Sequence, residues 1–192
     1  MENDGKVELT VGEILNRVPQ DLALVVLLRE KDGARCLPVL TGPLEAQAIA
    51  ITLYGHRMPR PGIYDLYLKT LRSFDASITR VNIYRIKGGV FYSHLFIEKD
   101  GNMSYLDCRT SDAIALAVRC GAPILIDSAL LDANCVRLEQ NGAYSLPITT
   151  ASTQVLKDAM KQAVATENYE LAARLRDEIN SRDEADDGFL SH

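Results

Sequence analysis

Tryptophan is absent from the 192 residues, histidine occurs three times and cysteine four times. The histidines, His56, His94 and His192, lie too far apart to show a metal-ligand spacing, which argues against a zinc hydrolase. Cys36, Cys108, Cys120 and Cys135 contain no CxxC pair, so neither a zinc site nor a disulfide framework is indicated, and a reduced, cytoplasmic compartment is expected. Apolar runs of the roughly eighteen residues needed to span a bilayer are missing. Met1 to Lys6 carries charges where a secretory signal is apolar, so no membrane partner is expected. A Gly-x-x-x-x-Gly-Lys-Ser/Thr loop is missing too, which removes support for P-loop nucleotide hydrolysis. Positive charge is in deficit: 21 Lys and Arg against 26 Asp and Glu leave a formal net charge of −5. That is the opposite of the basic footprint of a nonspecific nucleic-acid binder.

What is present is a chain with 47% hydrophobic residues, long enough for one domain with a sizeable core and a small appendage. Val7, Leu9 and Val11 alternate, Leu22 to Leu28 is an aliphatic run, and Lys31-Asp32-Gly33 reads as a turn leading to a partner strand over Arg35 to Leu40. Gly42-Pro43 opens a helix from Leu44 to Tyr54, which Gly55 ends. The prolines of Met58 to Gly62 make a rigid connection to a second helix over Ile63 to Phe74. Strands follow over Ser77 to Ile86, Val90 to Glu98 and Met103 to Cys108, separated by Lys87-Gly88-Gly89 and Lys99-Asp100-Gly101-Asn102, both of hairpin composition. A helix apolar around most of its circumference covers Ala113 to Cys120, with Arg119 its one strongly polar residue, and such a helix belongs inside a protein. Pro123 to Asp127 reads as a strand, Ser128 to Ala133 as a helical turn and Val136 to Leu138 as a last short strand. The predicted class is α+β, a mixed and mainly antiparallel sheet with packed helices.

Residues 1–140 form this domain, and the small, polar and proline residues of 141–153 mark a linker. Beyond it, Val155, Leu156, Ala159, Met160, Ala163 and Val164 form one apolar stripe. Tyr169, Ala172, Ala173, Leu175 and Ile179 form another, which predicts a helical hairpin over 154–182. So small a hairpin buries little surface, and its stripe is expected to seek a protein partner. Residues 183–192 are acidic and are expected to be a disordered tail.

The densest polar cluster precedes the buried helix: Asp107-Cys108-Arg109-Thr110-Ser111-Asp112. Thr110 or Ser111 suits the helix cap and Asp112 the positive helix end, whereas Asp107 and Arg109 exceed what capping requires. The run Asp107-x-Arg109-x-Ser111-Asp112-Ala-Ile-Ala-Leu-Ala resembles the signature of the bifunctional nuclease domain family. Glu45-Ala46 with Ile49-Ala50, and Pro59-Arg60-Pro61 with Asp65-Leu66, agree in the same order. The likeness extends over about residues 22 to 140. The hairpin resembles the UVR motif, named for the repair subunits UvrB and UvrC, where it serves protein contacts.

The resemblance implies a metal-dependent nuclease of broad specificity on DNA and RNA. Glu45, Asp65, Asp107 and Asp112 are hard oxygen donors, and Arg60 and Arg109 are planar forks that match phosphate oxygens. Asp107, Arg109, Asp112, Arg60 and Asp65 are the candidate catalytic residues. Asp107, Asp65 and Glu45 are the candidate ligands for Mg²⁺ or Mn²⁺. The opposing reading makes Asp112 and Ser111 caps, Glu45 a dipole contact and the arginines loop-fixing ion partners. The family pattern often has Thr-His before the residue matching Asp65, where this chain has Ile63-Tyr64; a phenol titrates far above an imidazole and is a poorer proton shuttle at neutral pH. The alternative function is a noncatalytic oligomeric module, at least a dimer because sheet edges need covering, that recruits a repair or protein-quality-control partner through the hairpin.

Overall fold

The structure is a computed structural model that describes residues 5–16, 24–56, 58–87, 89–136, 153–166 and 168–189. Its strands are β1 (Lys6–Asn16), β2 (Leu24–Glu30), β3 (Cys36–Thr41), β4 (Ala76–Lys87), β5 (Val90–Lys99), β6 (Asn102–Arg109) and β7 (Ile124–Asp127). The helices are α1 (Pro43–Leu53), α2 (Ile63–Ser73), α3 (Thr110–Cys120), α4 (Ser128–Asn134), α5 (Thr153–Ala165) and α6 (Tyr169–Phe189). The fold is α+β, as the sequence predicts.

The strands form one seven-stranded sheet in the order β3-β2-β1-β7-β4-β5-β6. Neighbours run antiparallel except β4 and β7, which pair in parallel through Val81–Ile124, Asn82–Leu125 and Ile83–Ile126. A parallel neighbour cannot be reached by a hairpin. The chain returns from the β6 edge to the sheet interior through α3, and that crossing holds α3 against the sheet.

Sequence pattern accounts for the layers. β2 reads as an unbroken aliphatic run because both its faces are covered: Val26 and Leu28 enter the main core, Val25 and Leu27 a second cluster with Cys36 and Val136. In β5, Ser93, Leu95 and Ile97 are buried while Tyr92, His94 and Phe96 alternate with them and are only partly covered. Asp100 and Gly101 lie between the paired Lys99 and Asn102 with φ of 51° and 75°, the left-handed pair that a tight hairpin turn demands. Val81, Ile83, Ile114, Ile49 and Leu68 join sheet and helices in the main core.

Differences from the predicted elements sit at ends and flanks. Val136 makes an isolated bridge to Cys36, while 137–138, the rest of the expected last strand, lie outside the described residues. So do 17–23 and most of the expected linker. Leu156, Ala163, Ala172, Leu175 and Ile179 form the hairpin core, but Val164 and Tyr169, counted in its stripes, are exposed. Val164 follows the buried Ala163 and turns off the seam, and Tyr169 begins its helix. α6 runs to Phe189, into the stretch expected to be a disordered tail.

One ion pair pins the hairpin of β2 and β3. Arg35 donates to Glu30 through Nε at 2.9 Å and Nη2 at 2.6 Å, and through Nη1 to Ser128 Oγ at 3.0 Å and Asp132 Oδ1 at 2.8 Å in α4. The hydrogen bond from Arg35 lowers the Glu30 pKa from the usual 4.5 against the opposing effect of burial. A lowered folded-state value stabilises fully above the unfolded pKa and is lost as pH falls through the folded one. In urea titrations between about pH 5 and 3, Glu30→Gln is expected to lose stability less steeply than the wild type.

Candidate functional site

Two arginines, one at each end of α3, bind the three helices of one layer together. Arg119 is the lone strongly polar residue of the buried stretch, with its side chain 10% exposed. Its Nη1 donates to Ala115 O at 2.8 Å and its Nη2 to Ala48 O of α1 at 2.9 Å. Its Nε lies 3.3 Å from Asp65 Oδ1 of α2, and its guanidinium carbon is 5.1 Å from the Tyr64 ring centroid. A buried cation left without partners is costly, so each contact is a requirement of burial. Asp65 also accepts from Gly62 N at 2.9 Å, which ties the first turn of α2.

The other arginine stands at the opposite end. Arg109 is the N-cap of α3, and no side chain caps that helix, so neither Thr110 nor Ser111 takes the expected role. Arg109 Nε donates to Asp112 Oδ2 at 2.7 Å, and Nη2 to Asp112 Oδ1 at 3.2 Å and Glu45 Oε1 at 2.9 Å. The Tyr64 phenol donates to Asp112 Oδ1 at 2.7 Å. Burial, followed by that bond to Asp112, raises the Tyr64 pKa far above its usual value and keeps the phenol protonated. The two carboxylates raise the Arg109 pKa as well. Its Nη1 makes no hydrogen bond among the described residues, and the side chain is 68% exposed. Thr110 is buried, with its hydroxyl 2.6 Å from Ser93 Oγ.

These groups border a cavity of about 640 Å³ between α1, α2, α3 and β6, whose wall includes Leu44, Ile63, Tyr64, Leu106, Arg109 and Asp112. A second cleft of about 510 Å³ lies beside it, and Asp65 and Arg119 line both. Cys108, at the cavity wall, is no nucleophile at neutral pH, because burial above all pushes its thiol up to about 11.

The predicted site residues therefore divide. Glu45, Asp112 and Arg109 converge. Asp65 and Asp107 line the same cavity but take other partners: Asp65 pairs with Arg119, and Asp107 accepts from Tyr84 OH at 3.0 Å, beside the stacked Tyr84 and His94 rings; Arg60 lines the second cleft. The expected ligands Asp107, Asp65 and Glu45 each have a different partner. Among the described residues, no group of three or more His, Cys, Asp or Glu is placed to hold a metal ion. As placed, these carboxylates do not fit a shared Mg²⁺ or Mn²⁺. Arg119 was missing from the candidates, although a single guanidinium in an otherwise apolar helix is itself a signal that partners must exist.

Fold and site define an α+β domain in which a buried crossing helix presents an arginine shared by two carboxylates at a cavity mouth. Comparison with known proteins narrows this. The bifunctional nuclease domain matches residues 26–139, more than half of the chain, and the UvrB/uvrC motif matches 152–182. The chain belongs to the bifunctional nuclease domain family. An uncharacterised protein of Mycobacterium tuberculosis is 37% identical over 107 residues, 56% of this chain and 63% of the relative. Bifunctional nuclease 1 of Arabidopsis thaliana is 25% identical over 178 residues, 80% of this chain and 54% of the relative. Bifunctional nuclease 1 of Oryza sativa subsp. japonica is 28% identical over 119 residues, 60% of this chain and 36% of the relative. The chain thus spans less than two thirds of the length of these curated relatives. No helix among the described residues is long and apolar enough to cross a membrane.

The Ser93–Thr110 contact joins β5 to the start of α3 and offers a test of how the site is held. Thr110→Val strands the Ser93 hydroxyl in the core and is expected to cost about 1–3 kcal/mol in urea unfolding. Adding Ser93→Ala is expected to restore much of that loss; a double variant no better than the single one would show that the contact does not matter.

Proposed function

We propose that this protein is a nuclease that hydrolyses phosphodiester bonds in DNA and RNA at the mouth formed by Arg109, Asp112, Glu45 and Tyr64. The observation that carries the proposal is Arg109: an exposed guanidinium held by two carboxylates, with one amino group left unbonded among the described residues. A phosphate oxygen accepts from that group, and the fixed guanidinium stabilises charge as it builds in the transition state. Asp112, anchored by Tyr64, is the acceptor that orients the attacking water. Tyr64 acts by positioning: its phenol, kept protonated by burial, donates to Asp112. Dependence on Mg²⁺ or Mn²⁺ is the part of the proposal that a comparison with EDTA decides. A cytoplasmic setting accompanies it, in keeping with four free thiols.

Cleavage of labelled DNA and RNA with Mg²⁺, Mn²⁺ or EDTA tests this reading. Arg109→Ala is expected to lower kcat by about 10²–10³, whereas Arg80→Gln, on the sheet over the Phe96 ring and outside the cavity lining, stays near the wild-type rate. Equal cleavage by wild type and folded Arg109→Ala would reject the site.

A second reading, a noncatalytic oligomeric module, rests on exposed apolar side chains around the same cavity. Leu44 is 76% and Ile63 70% exposed, Leu106 is also open, and β6 is a sheet edge with Met103 and Tyr105 exposed. In this reading the edge joins a second copy and the hairpin of α5 and α6 recruits a protein partner. Light scattering at micromolar concentration is expected to give at least a dimer, and Leu106→Lys to shift it toward monomer; a monomeric wild type would count against the reading.

A further inference from the structure

The structure assigns a second role to the cleft of about 510 Å³ beside the Arg109 mouth: we infer that it binds the phosphodiester backbone of single-stranded nucleic acid. The assignment deepens the nuclease reading and rests on it for the nature of the strand, but its test reads binding alone.

The argument starts from α2. Asp65, Leu68, Lys69 and Arg72 are spaced i, i+3, i+4 and i+7 and line the cleft together. Leu68 is buried and anchors the helix, which leaves Lys69 and Arg72 exposed along the opening. Arg60, in the Pro59-Arg60-Pro61 connection, adds a third exposed cation. No hydrogen bond or ion pair neutralises Arg60, Lys69 or Arg72 among the described residues. The one carboxylate in the lining, Asp65, is already satisfied by Arg119 and Gly62 N. A chain of net charge −5 thus gathers unpaired positive charge in one concave place.

The end of α1 also lines the cleft, and two of its last carbonyls are turned to backbone donors, His56 N to Ile51 O at 2.8 Å and Gly55 N to Thr52 O at 3.2 Å, around Gly55 at φ 69°; the partial negative charge of that helix end is outweighed by the three full cations. Ile51, Met58 and Pro61 give the cleft apolar surface for sugars or bases between the cations. A volume of about 510 Å³ takes roughly one or two nucleotides of a pliable strand, not a rigid duplex. Asp65 and Arg119 border both openings, so a strand lying in the cleft extends toward the Arg109 mouth, roughly 15 Å away along α3.

The test is fluorescence anisotropy of a short labelled oligothymidylate with the full chain in EDTA, titrated with KCl. A Lys69→Gln, Arg72→Gln double variant and a separate Arg60→Gln variant are compared with Arg80→Gln, a cation packed 3.9 Å over the Phe96 ring on the sheet. The double variant is expected to bind roughly ten-fold or more weakly, with a salt slope shallower by about 0.7 for each phosphate that is no longer neutralised. Arg60→Gln is expected to weaken binding in the same sense, and Arg80→Gln to leave affinity and slope unchanged. Unchanged binding in both cleft variants, or an equal loss in Arg80→Gln, overturns the assignment. So does equal affinity for a duplex, or no oligonucleotide binding by the wild type. Oligonucleotide binding that depends on the cleft but is never followed by cleavage supports the cleft and rejects the nuclease reading alone.

Discussion

A buried helix with a single guanidinium on it is the constraint from which the rest of the helical layer follows. α3 is held against the sheet because the parallel pairing of β4 and β7 requires a crossing, and its alanines permit close packing. Arg119 must then be satisfied inside the protein. It reaches a main-chain carbonyl of α1, a carboxylate of α2 and a carbonyl of its own helix. Three helices are locked in relation to one another by one side chain whose desolvation leaves no alternative.

The consequence for chemistry appears at the other end of α3. With α1 and α2 fixed, Glu45 and Tyr64 are delivered to Arg109 and Asp112 from separate segments of the chain. Such a cluster is held by neighbours more than by its own affinity, since exposed ion pairs contribute little individually. The rigid helical frame sets the position of the Arg109 fork, and its exposure makes it available to a ligand. In the same frame the Asp65–Arg119 pair borders both the mouth and the cationic cleft, so charges of opposite sign are arranged over a short path in a protein whose net charge is negative.

Much of the fold was legible before any coordinates. Alternation in β5, the unbroken run of β2, the Asp100-Gly101 turn and the all-round apolar α3 each carry a periodicity or turn chemistry that local physics reads directly. The family likeness was legible as well, through short runs in a common order. What resisted reading was pairing between distant residues. Asp107 and Arg109 are close in sequence and looked like one functional unit, yet one is bound to Tyr84 and the other to Asp112 and Glu45. The Tyr64 phenol looked like a loss relative to histidine; it proves to be a donor to Asp112.

The sequence by itself determined the elements, the α+β class and the kinds of side chain available to a phosphate, because these depend on neighbours a few residues apart. Tertiary structure alone decided which carboxylate meets which arginine, that the expected metal ligands take separate partners, and that Arg60, Lys69 and Arg72 share one cleft. Those are outcomes of packing helices across a sheet, where partners are set by three-dimensional proximity and by the need to satisfy buried charge. No local pattern encodes them.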